Sequence, residues 1–354
     1  MVGTNGVKIT ENLAVILKRE GVRGLSLSLD ALDPDRHDRF RKVRGAWRNT
    51  VEGAEILGRT GLPFIVQTTA GSHNLDELEA IAAFAHDRLA AKVWNLYFLV
   101  PTGRGQFVSD ITPAQYDQVL ASLHRIQRTY DRRMLVNAKC APHYIKTVLE
   151  NADAGIDPIP TQIRTYSGGA GGCPAGTHYM GIRPNGDVTP CPYLPVFAGT
   201  LRNASLADLW TSSELFTGIR RRTSLGGRCG ECEMNGHCGG CRARAYGMTG
   251  DLMAEDPLCT HTPGKFVGSP LLALHAPHAS ETPGARTIEY GPESPTTIAW
   301  DDAAAARMKK IPAFVRGMVV KSVEDSCRKK GISRVTSEEL ERIRARMPTP
   351  KIFG

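Results

Sequence analysis

The chain has no cysteine before Cys140, no long apolar run, and few aromatic residues, 6% of 354. The first absence leaves the opening third of the sequence without thiolate chemistry. The second excludes a membrane-spanning helix, which needs about 20 consecutive apolar residues. The opening segment, MVGTNGVKITENLAV, also lacks the basic-then-apolar layout of a secretory signal. A cytoplasmic, reducing setting is therefore expected, where clustered cysteines bind metal rather than form disulfides. The third absence bears on nucleic acid. From Arg307 to Gly354 there are thirteen Lys and Arg against five Asp and Glu, which accounts for the whole net charge of +8. Only Phe314 and Phe353 interleave that basic segment, too few stacking platforms for a single-strand binder. A solvated helical tail, or one that meets an acidic partner or a carboxylate-rich substrate, is the expectation.

What is present begins with an alternation of strand and helix patterns, in a chain long enough for two or three domains. Leu25–Asp30 alternates apolar and polar residues as a strand does. A helix is expected near Trp47–Gly58 and a strand over Leu62–Thr69. Asn74–Arg88 reads as a helix capped by Asn74 with Glu77 three residues on. Val93–Val100 is a third strand. Thr112–Tyr130 is a helix with Pro113 at its first position, and Met134–Ala138 is a fourth strand. This rhythm implies an α/β fold with a parallel sheet, curved into a partial (β/α) barrel or left open, with the ligand site at the strands' carboxyl ends.

Residues 165–262 break the rhythm. Thr177–Pro184, Asn185-Gly186 and Asp187–Cys191 form a hairpin signal that would bring Cys191 back toward Cys173. Residues 263–298, rich in Pro, Gly, Ser and Thr, read as a linker. From 299 to 350 a helical module is expected. Ile311, Phe314, Val315, Met318, Val319 and Val323 recur at helical spacing, Pro312 starts the helix and Gly331 ends it, and a capping box at Thr336–Glu339 opens the last helix.

Seven of the nine cysteines lie in the irregular stretch. Cys173 is followed by twelve residues, Gly186, four residues and Cys191. Then come Cys229, Cys232, Cys238 and Cys241, as C-x2-C-x5-C-x2-C, and finally Cys259. Soft thiolates at regular spacing select zinc or iron–sulfur clusters. Four thiolates close one cubane cluster, so seven supply four to one and three to another. Zinc ribbons space their pairs more widely than five residues, which favours iron–sulfur over zinc. Cys140 and Cys327 stand apart and read as packed thiols.

The cysteine pattern resembles the SPASM extension of radical S-adenosylmethionine (radical SAM) proteins. Upstream segments are similar to the family's partial barrel: Thr4-Asn5-Gly6, Ser28-Leu29-Asp30, His37–Arg41, Gly45, Thr50, Val66–Thr69 and Pro101–Gly105. The resemblance covers residues 1–262, as a barrel at 1–160 and a cluster domain at 165–262. It implies two auxiliary [4Fe–4S] clusters. Cys229, Cys232, Cys238 and Cys259 would hold the outer one and Cys173, Cys191 and Cys241 the inner one. Ser28 and Thr68 would approach S-adenosylmethionine. The family's C-x3-C-x2-C is absent, so the sequence reads as beginning at the third barrel strand, through a gene fragment, a misplaced start, a split gene or degeneration. This chain alone is expected not to generate a radical. A separately encoded N-terminal part and a low-potential electron donor are the implied partners.

Trp300, Ile311–Arg316, Glu324, Gly331-Ile332 and Thr336 resemble the helical module ending a subunit of light-independent protochlorophyllide reductase. Pro101–Gly105 and the two-residue cysteine spacing are also similar to the radical enzymes of heme and d-type heme synthesis. The implied substrate is a tetrapyrrole whose propionates could meet Arg104. A peptide substrate, as in peptide-modifying maturases, is the alternative, and a non-catalytic electron-transfer or scaffold protein is a third reading.

Overall fold

The computed structural model describes residues 1–103, 111–153, 172–269, 272, 296–309 and 313–346. Two compact units divide the chain, Met1–Glu281 and Thr282–Gly354. Arg104 and Gly105 lie outside the described residues, as do Ile311, Pro312 and the side chains of Phe314, Val315 and Met318.

The first unit is built on five parallel strands in sequential order: β1 (Val2–Thr4), β2 (Leu25–Ser28), β3 (Phe64–Ala70), β4 (Val93–Phe98) and β5 (Leu135–Lys139). Crossover helices join them: α1 (Glu11–Arg19), α2 (Pro34–Arg41), α3 (Ala46–Thr60), α4 (Leu78–Ala83) and α5 (Pro113–Thr129). This is a partial (β/α) barrel. One face of the sheet is apolar. Leu25, Leu27, Phe64, Val66, Trp94, Leu96 and Val136 pack there against the helices in one continuous core. The other face is polar, because the register aligns Ser28 with Gln67, Gln67 with Asn95 and Asn95 with Asn137. Asn137 Nδ2 donates to Asn95 Oδ1 at 2.9 Å, so this row satisfies itself.

Several recognisable segments turn out to be scaffolding. Thr50 Oγ1 donates to the Asn5 carbonyl at 2.6 Å, tying the loop after β1 to α3. A Cβ on Gly53 would come within 2.7 Å of the Gly6 carbonyl oxygen, so that approach requires glycine. Asp30 accepts from Thr69 N at 2.9 Å and pairs with Arg41 at 2.5 Å, closing the ends of β2 and β3. Asn74 is not a helix cap. It is buried in the turn after β3, where Nδ2 donates to the Asp30 and Thr69 carbonyls at 2.7 and 2.9 Å. Glu77 instead accepts from Leu32 N. Thr112 does cap α5, with Gln115 completing the box.

After α6 (Tyr144–Asp153), the region from residue 172 has only short elements. β6 (Gly181–Ile182), β7 (Asp187–Thr189) and β8 (Gly199–Thr200) form an antiparallel sheet. The Asn185-Gly186 turn sits where expected, with Gly186 at φ +92°. The paired strands are shorter than the pattern suggested, and β8 carried no signal. Helices α7 (Leu206–Ser212), α8 (Glu214–Arg220), α9 (Gly227–Glu231) and α10 (Arg242–Thr249) follow. Residues 263–269, expected to open a linker, pack onto the first unit instead, and 270, 271 and 273–295 lie outside the described residues. Phe266 is buried beside Ile145, Met234 and Cys238, and Glu233 accepts from Gly264 N and Phe266 N.

In the second unit β9 (Ala299–Trp300) pairs in parallel with β10 (Arg334–Val335), beside α11 (Asp302–Lys309), α12 (Ala313–Lys329) and α13 (Ser337–Arg346). Ala304, Val323, Cys327, Val335 and Ile343 form its core. Buried Glu324 accepts from Thr297 N and Trp300 Nε1 at 2.8 and 3.0 Å. Thr336 caps α13 through Glu339 N at 3.2 Å. Among the described residues, no helix is long and apolar enough to cross a membrane.

Candidate functional site

The thiols of the first unit fall into two groups. Cys229, Cys232, Cys238 and Cys259 line one cavity, together with His143, Asn235, Gly239, Gly240 and His261. Cys229 lies on α9, and Cys232 ends that helix. Cys238 leads into Gly239 and Gly240, at φ +62° and +60°, a conformation suited to glycine. A Cβ on Gly240 would lie 3.1 Å from the Cys229 sulfur, so a side chain there would intrude on the thiols. Backbone and side-chain donors point at the sulfurs. Gly240 N reaches Cys238 Sγ at 3.4 Å, Met234 N reaches Cys232 Sγ at 3.3 Å, and Arg242 Nη2 reaches Cys229 Sγ at 3.7 Å. Such donors favour thiolate over thiol. Burial acts against them, pushing Cys232 up to about 12 and Cys238 well above the ordinary thiol value.

The second group contains Cys173, Cys191 and Cys241, all buried in a small cluster with Val100, Leu194 and Ile219. Cys241 caps the start of α10. Cys191 is hydrogen-bonded by Tyr179 and is pushed up to about 11, chiefly by burial. Cys140, the residue after β5, packs into the same group, and its hydrogen bond from Cys241 is the main cause raising Cys241 to about 12. Cys140 is thus a packed thiol as expected, but it does not stand apart from the other cysteines. Cys327, in contrast, is fully buried in the second unit's apolar core.

Two fully buried arginines stand between the groups. Arg242 donates to the Leu252 and Ala254 carbonyls at 2.8 and 2.7 Å. Arg244 pairs with buried Asp256 at 3.0 Å and reaches the Leu99 and Cys140 carbonyls. Burial pulls the Arg244 guanidinium down, but Asp256 and Cys241 outweigh it and hold it above its ordinary value. Asp256 also accepts from Cys241 N at 2.7 Å. A buried cation is costly unless matched by negative charge. Arg222 is buried here too, and burial lowers its guanidinium while the thiolates of Cys173, Cys238 and Cys229 raise it. Three buried cations around two thiol groups fit the anionic, all-sulfur shells that iron–sulfur clusters require. Cys232, Glu233 and His261 also lie close enough for one ion, but Glu233 already takes two backbone donors and His261.

A cleft opens on the polar face of the barrel. It is lined by Ser28, Arg41, Gln67, Thr69, Tyr97 and Tyr193, among others. Ser28 sits in its wall. Thr68 does not. It is fully buried, donates to the Leu29 carbonyl at 2.7 Å and accepts from Trp94 Nε1 at 2.9 Å. Strand alternation turns Thr68 into the core and presents Gln67 and Thr69 to the cleft. Val100 lines the cleft and also packs with Cys173, Cys191 and Cys241, so the cleft abuts the inner thiols. Lys139 stands in register beside Tyr97, its ammonium pushed down by burial. No sequence pattern marked Lys139, Tyr97 or Tyr193. The polar alternation of β4 and β5 was the available signal.

Residues 173–241 match a family model described as SPASM, an iron-sulfur cluster-binding domain. Residues 300–344 match one described as the 57 kD subunit of proto-chlorophyllide reductase. An AdoMet-dependent heme synthase of Methanosarcina barkeri is 36% identical over 265 residues, covering 75% of each chain. The protein of that name from Nitratidesulfovibrio vulgaris is 37% identical, over 74% of this chain and 71% of its own. Streptococcus suis SuiB, solved with S-adenosylmethionine, shares the fold at a TM-score of 0.52 and 18% identity, over 73% of this chain. The present chain spans 59% of SuiB.

Proposed function

Since this chain belongs to the radical SAM/SPASM family, among relatives of the AdoMet-dependent heme synthases, we propose that it carries two auxiliary [4Fe–4S] clusters and acts on a carboxylate-bearing tetrapyrrole. The observation that carries this reading is the cleft over the polar sheet face, walled by Tyr97 and Tyr193 and joined through Val100 to the inner thiols. In this reading Cys229, Cys232, Cys238 and Cys259 hold the outer cluster, and Cys173, Cys191 and Cys241 belong to the inner one. Bound clusters would supply one-electron transfer; hydrogen abstraction would need S-adenosylmethionine cleaved reductively at a further cluster, whose C-x3-C-x2-C this sequence lacks.

The chain's own residues have distinct tasks. Gly239 and Gly240 let the backbone close on the outer site, and Arg242 offsets its negative charge. Asp256 and Arg244 fix the inner site to the barrel end. Ser28, Gln67 and Thr69 present polar groups to whatever enters the cleft. Lys139 is half-buried, and its partly desolvated ammonium gains by meeting a carboxylate. Arg41 is already paired with Asp30, so its role is to hold the cleft wall. Two matches support a tetrapyrrole: the relatives named heme synthase, and the protochlorophyllide reductase description of residues 300–344.

Equilibrium titration tests the substrate class. A propionate-bearing iron porphyrin should bind at least about tenfold more tightly than its methyl ester, a difference of about 1.4 kcal/mol, because charge-assisted bonds are lost in the ester. Lys139→Met should erase the difference. Equal binding of acid and ester, or preference for a leader peptide over both, would refute it.

A further inference from the structure

The inner group of thiols has one more member than the cysteine-rich region supplies. Cys140 follows Lys139 at the carboxyl end of β5, at φ +58°. Its backbone there leaves the sheet and turns the side chain toward residues more than thirty positions further along. Cys140 packs against the buried cluster that contains Cys173, Cys191 and Cys241, so four thiols share one site.

One buried ion pair holds both ends of this arrangement. Arg244 Nη2 donates to the Cys140 carbonyl at 2.9 Å, while Nη1 pairs with Asp256 at 3.0 Å. Asp256 in turn accepts from Cys241 N at 2.7 Å. The backbones of Cys140 and Cys241 are thus clamped by a single Arg–Asp unit with no exposed surface. A thiol placed only for packing needs no such clamp. Cys327 packs instead among Ala304, Val323, Val335 and Ile343, a cluster whose described residues include no second cysteine.

We propose that Cys140 is the fourth ligand of the inner cluster, joining Cys173, Cys191 and Cys241. The proposal rests on the reading that the inner thiols hold a four-iron cluster. On ligation Cys140 gives its thiol proton to solvent, and its sulfur occupies the iron that three cysteines leave open. All four irons then carry protein thiolates. The inner site can pass electrons but offers no coordination position to a substrate or to solvent. The same bond fastens the end of β5 to the cysteine-rich region.

The test compares the anaerobically reconstituted full chain with its Cys140→Ala, Cys140→Ser and Cys327→Ala variants. Iron content and the electron paramagnetic resonance signal after mild ferricyanide oxidation are read for each. Two fully ligated cubanes hold about eight irons, so the parent protein and Cys327→Ala should contain about eight and give no three-iron signal. Cys140→Ala should lose about one iron per chain and show a [3Fe–4S] signal. Unchanged iron and an unchanged spectrum in Cys140→Ala would overturn the proposal, as would a three-iron signal already present in the parent. Alkylation mapping covers the case in which both Cys140 variants fail to fold. Cys140 of the loaded parent should resist iodoacetamide and react once the iron is chelated, and a label on Cys140 in the loaded protein would equally overturn the proposal. A parent protein that takes up no iron would sink the cluster reading itself, a result distinct from every outcome above.

Discussion

The barrel and the cysteine-rich region of the first unit are held together by opposite means. The barrel buries a continuous apolar face, from Leu25 through Trp94 to Val136, under long helices. The region from residue 172 has two- and three-residue strands, helices of eight residues or fewer, and small apolar clusters that contain its cysteines. Its most buried large side chains include Arg242 and Arg244. Hydrophobic burial is non-directional and tolerates the loss of any one contact. Thiols and guanidiniums are directional, and they stabilise only when their partners are present. The barrel should therefore be able to stand without metal, whereas the cysteine-rich region should not.

Removing the iron is the strongest way to break this contrast. Structural metal sites contribute on the order of 10 kcal/mol to the folding of small domains. Chelation under anaerobic conditions should abolish amide-exchange protection across 172–262 and leave β2, β3 and β4 protected. Loss of protection over 64–70 at the same rate would show that the barrel depends on the clusters as well.

His143 sharpens the contrast at the junction. It is buried between Tyr116, whose hydroxyl lies 2.9 Å from Nδ1, and Asp256 at 3.6 Å. Burial pulls its imidazole down to about 4, although Asp256 and Asp117 oppose it and Arg244 and Arg242 add to it. In the unfolded chain the ring titrates near 6.5, so between pH 6.5 and 4 the unfolded state binds the extra proton. Stability from this group is complete above about pH 6.5 and declines as pH falls to about 4, by on the order of 3 kcal/mol. Denaturant midpoints measured across that window should fall for the parent protein and stay flatter in His143→Gln. Parallel profiles would mean that His143 is not the group responsible.

The same contrast decides what could be read in advance. Strands β2 to β5 and α5 were legible because periodicity and the Thr112–Gln115 box are local signals, whereas the three residues of β1 were too few to show a pattern. The grouping of Cys229, Cys232, Cys238 and Cys259 around one cavity was legible only through the family resemblance, because spacing alone would join Cys241 to the first three. Cys140 was not legible, because nothing near it in sequence is a cysteine and only the turn out of β5 brings it to Cys241. Phe266 was read as linker because its neighbours are Gly, Lys and Pro, yet backbone bonds to Glu233 seat it against Met234. Lys139 and Tyr97 were not singled out, because the polar alternation of their strands does not announce which face meets a ligand.

Thr68 shows that ambiguity at the scale of one hydroxyl, and it sets the smallest expected effect. In sequence, Ser28 and Thr68 are alike, each a hydroxyl near the end of a parallel strand. In the structure they face opposite ways, Ser28 to the cleft and Thr68 to the core. Thr68→Val keeps the shape but strands two buried partners, the Leu29 carbonyl and Trp94 Nε1. That should cost about 2 kcal/mol in thermal or denaturant unfolding. Iron content and porphyrin affinity should not move, because nothing in the cleft touches Oγ1. Ser28→Ala removes a hydroxyl from the cleft wall, and its stability change should stay within about 0.5 kcal/mol. If Thr68→Val weakens ligand binding at unchanged stability, the division into an apolar face that holds the fold and a polar face that meets the ligand is wrong.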